Sequence, residues 1–390
     1  MSLPKVALLC FDNPFVKPMG GGKRAMLTRI ESLKLLDIDL DVFLLTNPNE
    51  GMADISAMQS EHCHFYQYMM LKFPSISLVA KYPLCVGRRY VSELADRLAG
   101  SYYDAVFYEG AQVGSYRFEG KVNAGRHILY YHDIESAYRA QLAQSETSIL
   151  GRYLQNRESR LFARMEKRLP ELFDGHLFVS CDELDQFSRQ HCLGDAALYA
   201  PYAVDSVADT VPMDVVPGRM LYTGDMSLDS NFRSVEWFVR EVLPKVRFDS
   251  GKPELRLIGR ISDEHRRYLE SLDSSVCVLG YVDDLDVEYE HACCFVVPIL
   301  YGAGVKVKLI DAMARGQIVI ANTKACEGTR VMDGENLLVA DYPEAMARLC
   351  SEVLNRRDDF VQVAENGLAF IRKYHSKDAQ ADLLLREIEV

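Results

Sequence analysis

Eleven short apolar runs, separated by helix-length amphipathic stretches, limit this chain most. They occupy residues 5–11, 40–47, 104–110, 127–133, 175–180, 219–225, 254–260, 276–282, 293–300, 317–323 and 336–341. Strands alternating with helices predict parallel sheets covered on both faces, because each crossover places a helix against the sheet. At 390 residues the chain exceeds one comfortable core. The stretch 200–219, with three prolines and no sustained period, reads as the connection between two domains. The expected fold is α/β, two doubly wound domains facing across a cleft.

The formal charge of −12 argues against nucleic-acid binding, which needs a cationic surface. None of the ten cysteines forms a C-x-x-C pair, and several lie in apolar runs, so buried reduced thiols are expected. His62, Cys63 and His64 form a small candidate metal cluster without a second ligand pair nearby. The start "MSLPKVALLCF" has no signal-peptide pattern, and no apolar stretch approaches the ~20 residues of a membrane span. The expectation is a cytoplasmic protein, attached at most to a membrane surface.

In doubly wound sheets, ligands bind where strands end and loops enter helices. After the first run, Gly20, Gly21 and Gly22 open a helix whose N–H groups a phosphate or sugar could approach. Without a ligand the same glycines read as a flexible loop. Lys17 and Arg24 break the Walker A pattern, and no G-x-G-x-x-G follows the strand. "YYHDIES" puts His132, Asp133 and Glu135 at a strand end, where His132 can meet a sugar hydroxyl and Asp133 can orient it or act as base. The alternative for Asp133 is a helix N-cap. Glu109 and Gly110 repeat that geometry in "YEG".

The second half offers Gly224 after a strand, Asn231 at a helix start, and Arg260 placed to grip a phosphate. The densest stretch is "PILYGAGVKVKLIDAMARG" (298–316). Gly302 and Gly304 free the backbone, a helix is predicted over 305–314, and Lys306 and Lys308 stand beside its start. Asp311, about one turn beyond Lys308, can accept both hydroxyls of a ribose. This combination suits the diphosphate of a sugar nucleotide; a solvated helix face after a turn is the alternative. Glu327 and Gly328 occupy the next strand end.

With "YYHDIES", "YAVD", "LYTGDMSLDSNFRSVEWFVREVLPKV" and "VVPILYGAGVKVKLIDAMARGQIVIANTKACEG" in place, the chain resembles retaining glycosyltransferases of the GT-B fold, in the large family 4 group. The resemblance covers nearly the whole length. It implies two Rossmann-like domains, 1–205 for the acceptor and 206–370 for the nucleotide sugar, with a closing helix 371–390 packing toward the first. It implies transfer from a nucleoside diphosphate sugar, UDP favoured over GDP, to a glycan or lipid-linked acceptor in surface-polysaccharide synthesis. Neither a metal nor a further cofactor is implied. By position, Gly302, Ala303, Gly304, Val305, Lys306 and Lys308 match the diphosphate loop, and Asp311 the ribose carboxylate. Gly21, Gly22, Gly224, Arg260 and Glu327 are further donor-site candidates; His132, Asp133 and Lys308 are the catalytic ones. The family's paired glutamates fall on Ala303, where the carboxylate is missing, and on Asp311, where it is one methylene shorter.

D-x-D triplets at Asp37/Asp39, Asp39/Asp41 and Asp284/Asp286 suggest metal-dependent transferases, but chance in an acidic chain accounts for them. Residues 152–168 carry six basic side chains against two acids, interleaved with Leu154, Leu161, Phe162 and Met165. Such a helix could rest on an anionic membrane or be a solvated face laced by salt bridges. A nucleotide-sugar epimerase of the same fold and a non-catalytic nucleotide-sugar-binding module are the competing functions.

Overall fold

Runs rich in Val, Ile, Leu and aromatic residues become strands because branched and flat side chains pack well on a pleated surface. The computed structural model describes residues 2–17, 21–302 and 304–389. Gly20 and Ala303, both named above, lie outside the described residues. Unit 1 comprises 1–203 with 377–390, and unit 2 comprises 204–376. Residues 200–218 carry neither helix nor strand.

Unit 1 holds β1 (Lys5–Cys10), β2 (Asp39–Thr46), β3 (Cys63–Met69), β4 (Tyr102–Glu109), β5 (Asn123–Tyr131), β6 (Gly175–Phe178) and β7 (Ala197–Tyr199). They form one sheet in the order β3-β2-β1-β4-β5-β6-β7, with parallel pairing throughout. Unit 2 holds β8 (Arg219–Thr223), β9 (Glu254–Ile258), β10 (Val276–Gly280), β11 (Cys294–Val297), β12 (Val319–Ala321) and β13 (Leu338–Val339). Their order is β10-β9-β8-β11-β12-β13, again parallel. The final helix, Lys377–Glu389, belongs to unit 1, where Lys377 pairs with Glu31 at 2.5 Å and Glu387 with Arg126 at 3.2 Å.

Strand β3 was missed because it lies at the sheet edge, where one face meets water and the apolar run is diluted to "CHFYQYM". This places the supposed metal cluster: Cys63 is buried in β3, and His64 lies 3.6 Å from Asp39. No group of three or more potential metal ligands converges among the described residues. Most of the D-x-D residues have structural partners. Asp41 accepts a hydrogen bond from Tyr103, Asp284 caps the helix Leu285–Glu290, and Asp286 pairs with Arg315 at 2.6 Å.

In each sheet the strand order reverses beside the first strand of the unit, between β1 and β4 and between β8 and β11. Such reversals splay the following loops apart and open a crevice at the strands' carboxyl ends. At this edge of unit 2 the loops after β8 and β9 touch. Gly259 has φ +131°, and a Cβ there would sit 2.0 Å from the carbonyl oxygen of Gly224. Gly259→Ala is therefore expected to cost about 3 kcal/mol or more. A melting temperature equal to wild type would disprove this close approach.

Candidate active site

Lys308 stands beside the strand reversal of unit 2. It lies in the first turn of the helix Val307–Ala314, and its ammonium donates to the Tyr222 hydroxyl at 2.6 Å and to Asn231 Oδ1 at 2.8 Å. Tyr222 comes from β8 and is fully buried; Asn231 comes from the helix Asp229–Trp237 and donates to the Asp225 carbonyl at 2.9 Å. Burial pushes the Lys308 ammonium down to about 7, and the like charge of Lys306 adds to this. Gly224 gives the lysine room, since a Cβ there would lie 2.8 Å from Nζ.

The helix starts two residues later than the sequence suggested. Gly302 and Gly304 have φ +121° and +74°, and Lys306 is extended at the cap position, so the chain turns before it coils. Lys306 Nζ folds back onto the carbonyls of Gly302 (3.2 Å) and Gly304 (2.5 Å), bracing the loop. Val305 lies in that loop, and Asp311 follows Lys308 by three residues in the helix. Further ties fix the strand end. Leu300 N–H donates to Ser234 Oγ at 3.2 Å, and Tyr301 donates to Asp229 at 2.5 Å. Asn322, which the motif reading missed, accepts from Ile299 N–H at 3.1 Å and donates to its carbonyl at 2.7 Å. Its signal was an asparagine between a strand end and a helix start.

Arg260 and Glu327 stand apart from this cluster. Arg260 is 76% exposed and lies 3.8 Å from Asp225, while exposed Glu327 pairs with Lys324 at 2.6 Å.

In unit 1, Gly21 and Gly22 open the helix Gly21–Leu33. Buried Lys23 bonds the Val16 carbonyl and Glu50, both at 3.0 Å, which pins the preceding loop. At the end of β4, Glu109 is fully buried between the Arg29 guanidinium and the His132 ring, whose Nε2 lies 2.6 Å from Glu109 Oε2. Burial alone would raise the Glu109 carboxyl; Arg29 first, then His132, outweigh it and hold the group below its usual range. Arg29 also stacks over Tyr130, and Phe11 meets the His132 ring edge-on at 5.3 Å. With Nε2–H committed to an ionised Glu109, Nδ1 is the atom of His132 able to accept from a ligand hydroxyl. Arg29 gave no sequence signal, because nothing local distinguishes it from a solvated helix residue.

Asp133 is not the cap of the helix Glu135–Ser145; that position is Ile134, which has no capping side chain. Two carboxylates from later helices take the first N–H groups instead: Glu183 accepts from Ile134 N–H and Glu166 from Ser136 N–H, both at 2.9 Å. Burial raises both acids, Glu183 to about 7.

Residues 217–356 match the profile of the family described as "Glycosyl transferases group 1". Over 387 residues the chain is 25% identical to an "Uncharacterized 44.6 kDa protein in cps region" of Klebsiella pneumoniae, covering 96% of this chain and 97% of that one. Among solved structures it resembles sucrose-phosphate synthase from Thermosynechococcus elongatus, with a TM-score of 0.63, 18% identity and 98% of each chain covered. HepE from Anabaena, solved with UDP and glucose, gives 0.65 with 12% identity over 98% of each chain. A mutant of S. aureus TarM, solved with fondaparinux, α-GlcNAc-glycerol and UDP, gives 0.67 with 10% identity over the whole of both chains. The chain thus has the GT-B fold, and its residues 217–356 match the profile of the glycosyl transferases group 1.

Proposed function

We propose that the protein transfers a hexosyl group from a UDP-sugar to a glycan or lipid-linked acceptor, with retention of anomeric configuration, in the cytoplasmic assembly of a bacterial surface polysaccharide. The observation that carries this reading is the Lys308 ammonium held at the sheet reversal of unit 2, at the start of a helix and after a glycine-bent loop. A departing diphosphate needs positive charge and free N–H groups at such a point. Lys308 and Lys306 supply the charge in this reading, and the amides of Gly304, Val305 and Lys308 the N–H groups, without a bound cation. Asp311 takes the ribose, Gly224 leaves room beside Lys308, and Arg260 and Glu327 remain peripheral donor candidates. Unit 1 takes the acceptor, Gly21 and Gly22 lend backbone to the sugar, His132 offers Nδ1 to a sugar hydroxyl, and Asp133 assists it.

The UDP bound in the HepE and TarM structures and the cps region of the Klebsiella relative support the donor and the setting. A thermal-shift titration with UDP, GDP and ADP tests the donor, and stabilisation by none of them would overturn the reading. Supplying a UDP-sugar with and without acceptor separates transfer from epimerisation, and NMR of the product anomer decides retention.

We extend the reading to a membrane-held acceptor. No helix among the described residues is long and apolar enough to cross a bilayer, and the contact proposed is peripheral. Leu161, Phe162 and Met165 serve the core of unit 1, so they do not form an outer apolar face. The helix Ile149–Glu166 instead exposes Ile149 (87%), Leu150 (67%), Tyr153 and Leu154 at its start, beside exposed Arg152. Ile149→Asp with Leu150→Asp is expected to abolish sedimentation with phosphatidylglycerol vesicles while leaving the melting temperature within about 1 °C. Equal sedimentation of variant and wild type would exclude this contact.

A further inference from the structure

The atoms that hold Lys308 are chemically unusual for a buried cation. Its two acceptors are a phenol and an amide oxygen, at 2.6 and 2.8 Å, and both are neutral. The Tyr222 ring also lies under the ammonium, 4.5 Å from Nζ to the centroid. The Tyr222 hydroxyl cannot readily ionise to serve as a counter-ion, because burial raises it above its ordinary range. Charged groups of the surrounding elements include Lys306 and Asp311 on the lysine's own segment, Asp225 and Asp229 preceding Asn231, Arg233 and Glu236 further along that helix and paired with each other, and Arg260 beside Asp225. Of these, Lys306 opposes a second positive charge. A buried ammonium is costly unless an anion compensates it.

We propose that Tyr222 and Asn231 are positioning residues for Lys308, a neutral socket that holds its nitrogen beside Gly224 and leaves the counter-charge to the incoming diphosphate, so that donor binding draws a proton from solvent onto Lys308. This rests on the donor reading above and adds to it a coupling between the nucleotide and a proton. The step is a protonation alone: the Nζ lone pair takes H⁺ from solvent as the phosphate oxygens arrive, and no redox partner is needed. Affinity for UDP is then full below about pH 7, where the free chain already carries the proton. It weakens by up to about tenfold per pH unit above that, until the pKa of the bound state is passed. The diphosphate's own last proton, with pKa about 6, is gone throughout this window.

Two measurements on the full chain test the proposal. The first uses no nucleotide. A lysine lowered to about 7 in the folded chain and near 10.4 when unfolded binds fewer protons folded, so stability rises with pH across that interval. The melting temperature of wild type, compared with Lys308→Met, is expected to gain across this range; parallel curves would overturn the socket whether or not UDP binds. The second is calorimetry with UDP at about pH 8 in two buffers of different ionisation enthalpy. Wild type is expected to take up most of one proton and Lys308→Arg none. Asn231→Asp, which supplies a carboxylate in place, is expected to abolish uptake and move the loss of affinity to higher pH. Tyr222→Phe is expected to weaken UDP binding with little change in melting temperature. UDP binding with no proton uptake in wild type would refute the coupling. A pH-dependent stability difference in a chain that binds no nucleotide would support the socket and overturn the donor reading.

Discussion

Replacing Lys308 with methionine is expected to remove most of the protection that UDP gives against heat. At a nucleotide concentration about 100 times Kd, a bound ligand stabilises by about 2.7 kcal/mol. A charge-assisted hydrogen bond from a lysine to phosphate contributes about 1.5–3 kcal/mol, so its loss weakens Kd by roughly 10–150-fold. At the same UDP concentration a 100-fold weaker variant retains only about 0.4 kcal/mol of protection. For a unit of this size that separates a shift of roughly 5–11 °C from one of 1–2 °C. The transfer rate is expected to fall further, by about 10²–10³-fold, because the same charge meets the leaving diphosphate as it develops. The methionine fills the space, and its own melting temperature controls for folding. Equal protection of variant and wild type would remove Lys308 from the site.

Replacing Arg29 with methionine is expected to be the most damaging single change in unit 1. Arg29 and Glu109 are both 0% exposed and paired with each other, so the change leaves a buried carboxylate with only His132 beside it. Breaking a buried pair from one side costs about 3–5 kcal/mol, or roughly 6–20 °C of melting temperature for a unit of this size. The sign of the pH dependence identifies the cause. In wild type the Glu109 carboxyl is held low, so its contribution is present above the unfolded carboxylate pKa of about 4.3 and is lost as pH falls through the folded value. Without Arg29, the unopposed effect of burial raises the group, and the variant regains stability as pH falls. The deficit of Arg29→Met should therefore be smaller at about pH 5 than at about pH 8. Adding Glu109→Gln should recover part of the loss, since no charge then remains buried unpaired. A deficit equal at both pH values, with no recovery in the double variant, would mean that lost packing rather than lost charge is responsible.

What the sequence alone determined is what local composition can encode. Buried parallel strands need continuous apolar runs, and eleven of the thirteen strands coincide with such runs; β3 and β7, at the sheet edge, do not. The glycines at 302 and 304 announced a bent loop because few other residues adopt their positive φ, and the two lysines beside it announced an anion. Tertiary structure alone decided which of those lysines is held at the strand reversal. Lys306 turns back on its own loop, whereas Lys308 reaches a tyrosine 86 residues and an asparagine 77 residues away in sequence. Likewise "YEG" announced a strand-end carboxylate, but not that Glu109 would be ionised in the core between Arg29 and His132. The cap that "HDIES" offered as the alternative role of Asp133 comes instead from Glu183 and Glu166. Spacing along the chain specifies which backbone a segment adopts. The charge state and orientation of a buried side chain depend on partners that only the packed sheets and helices bring within 3 Å.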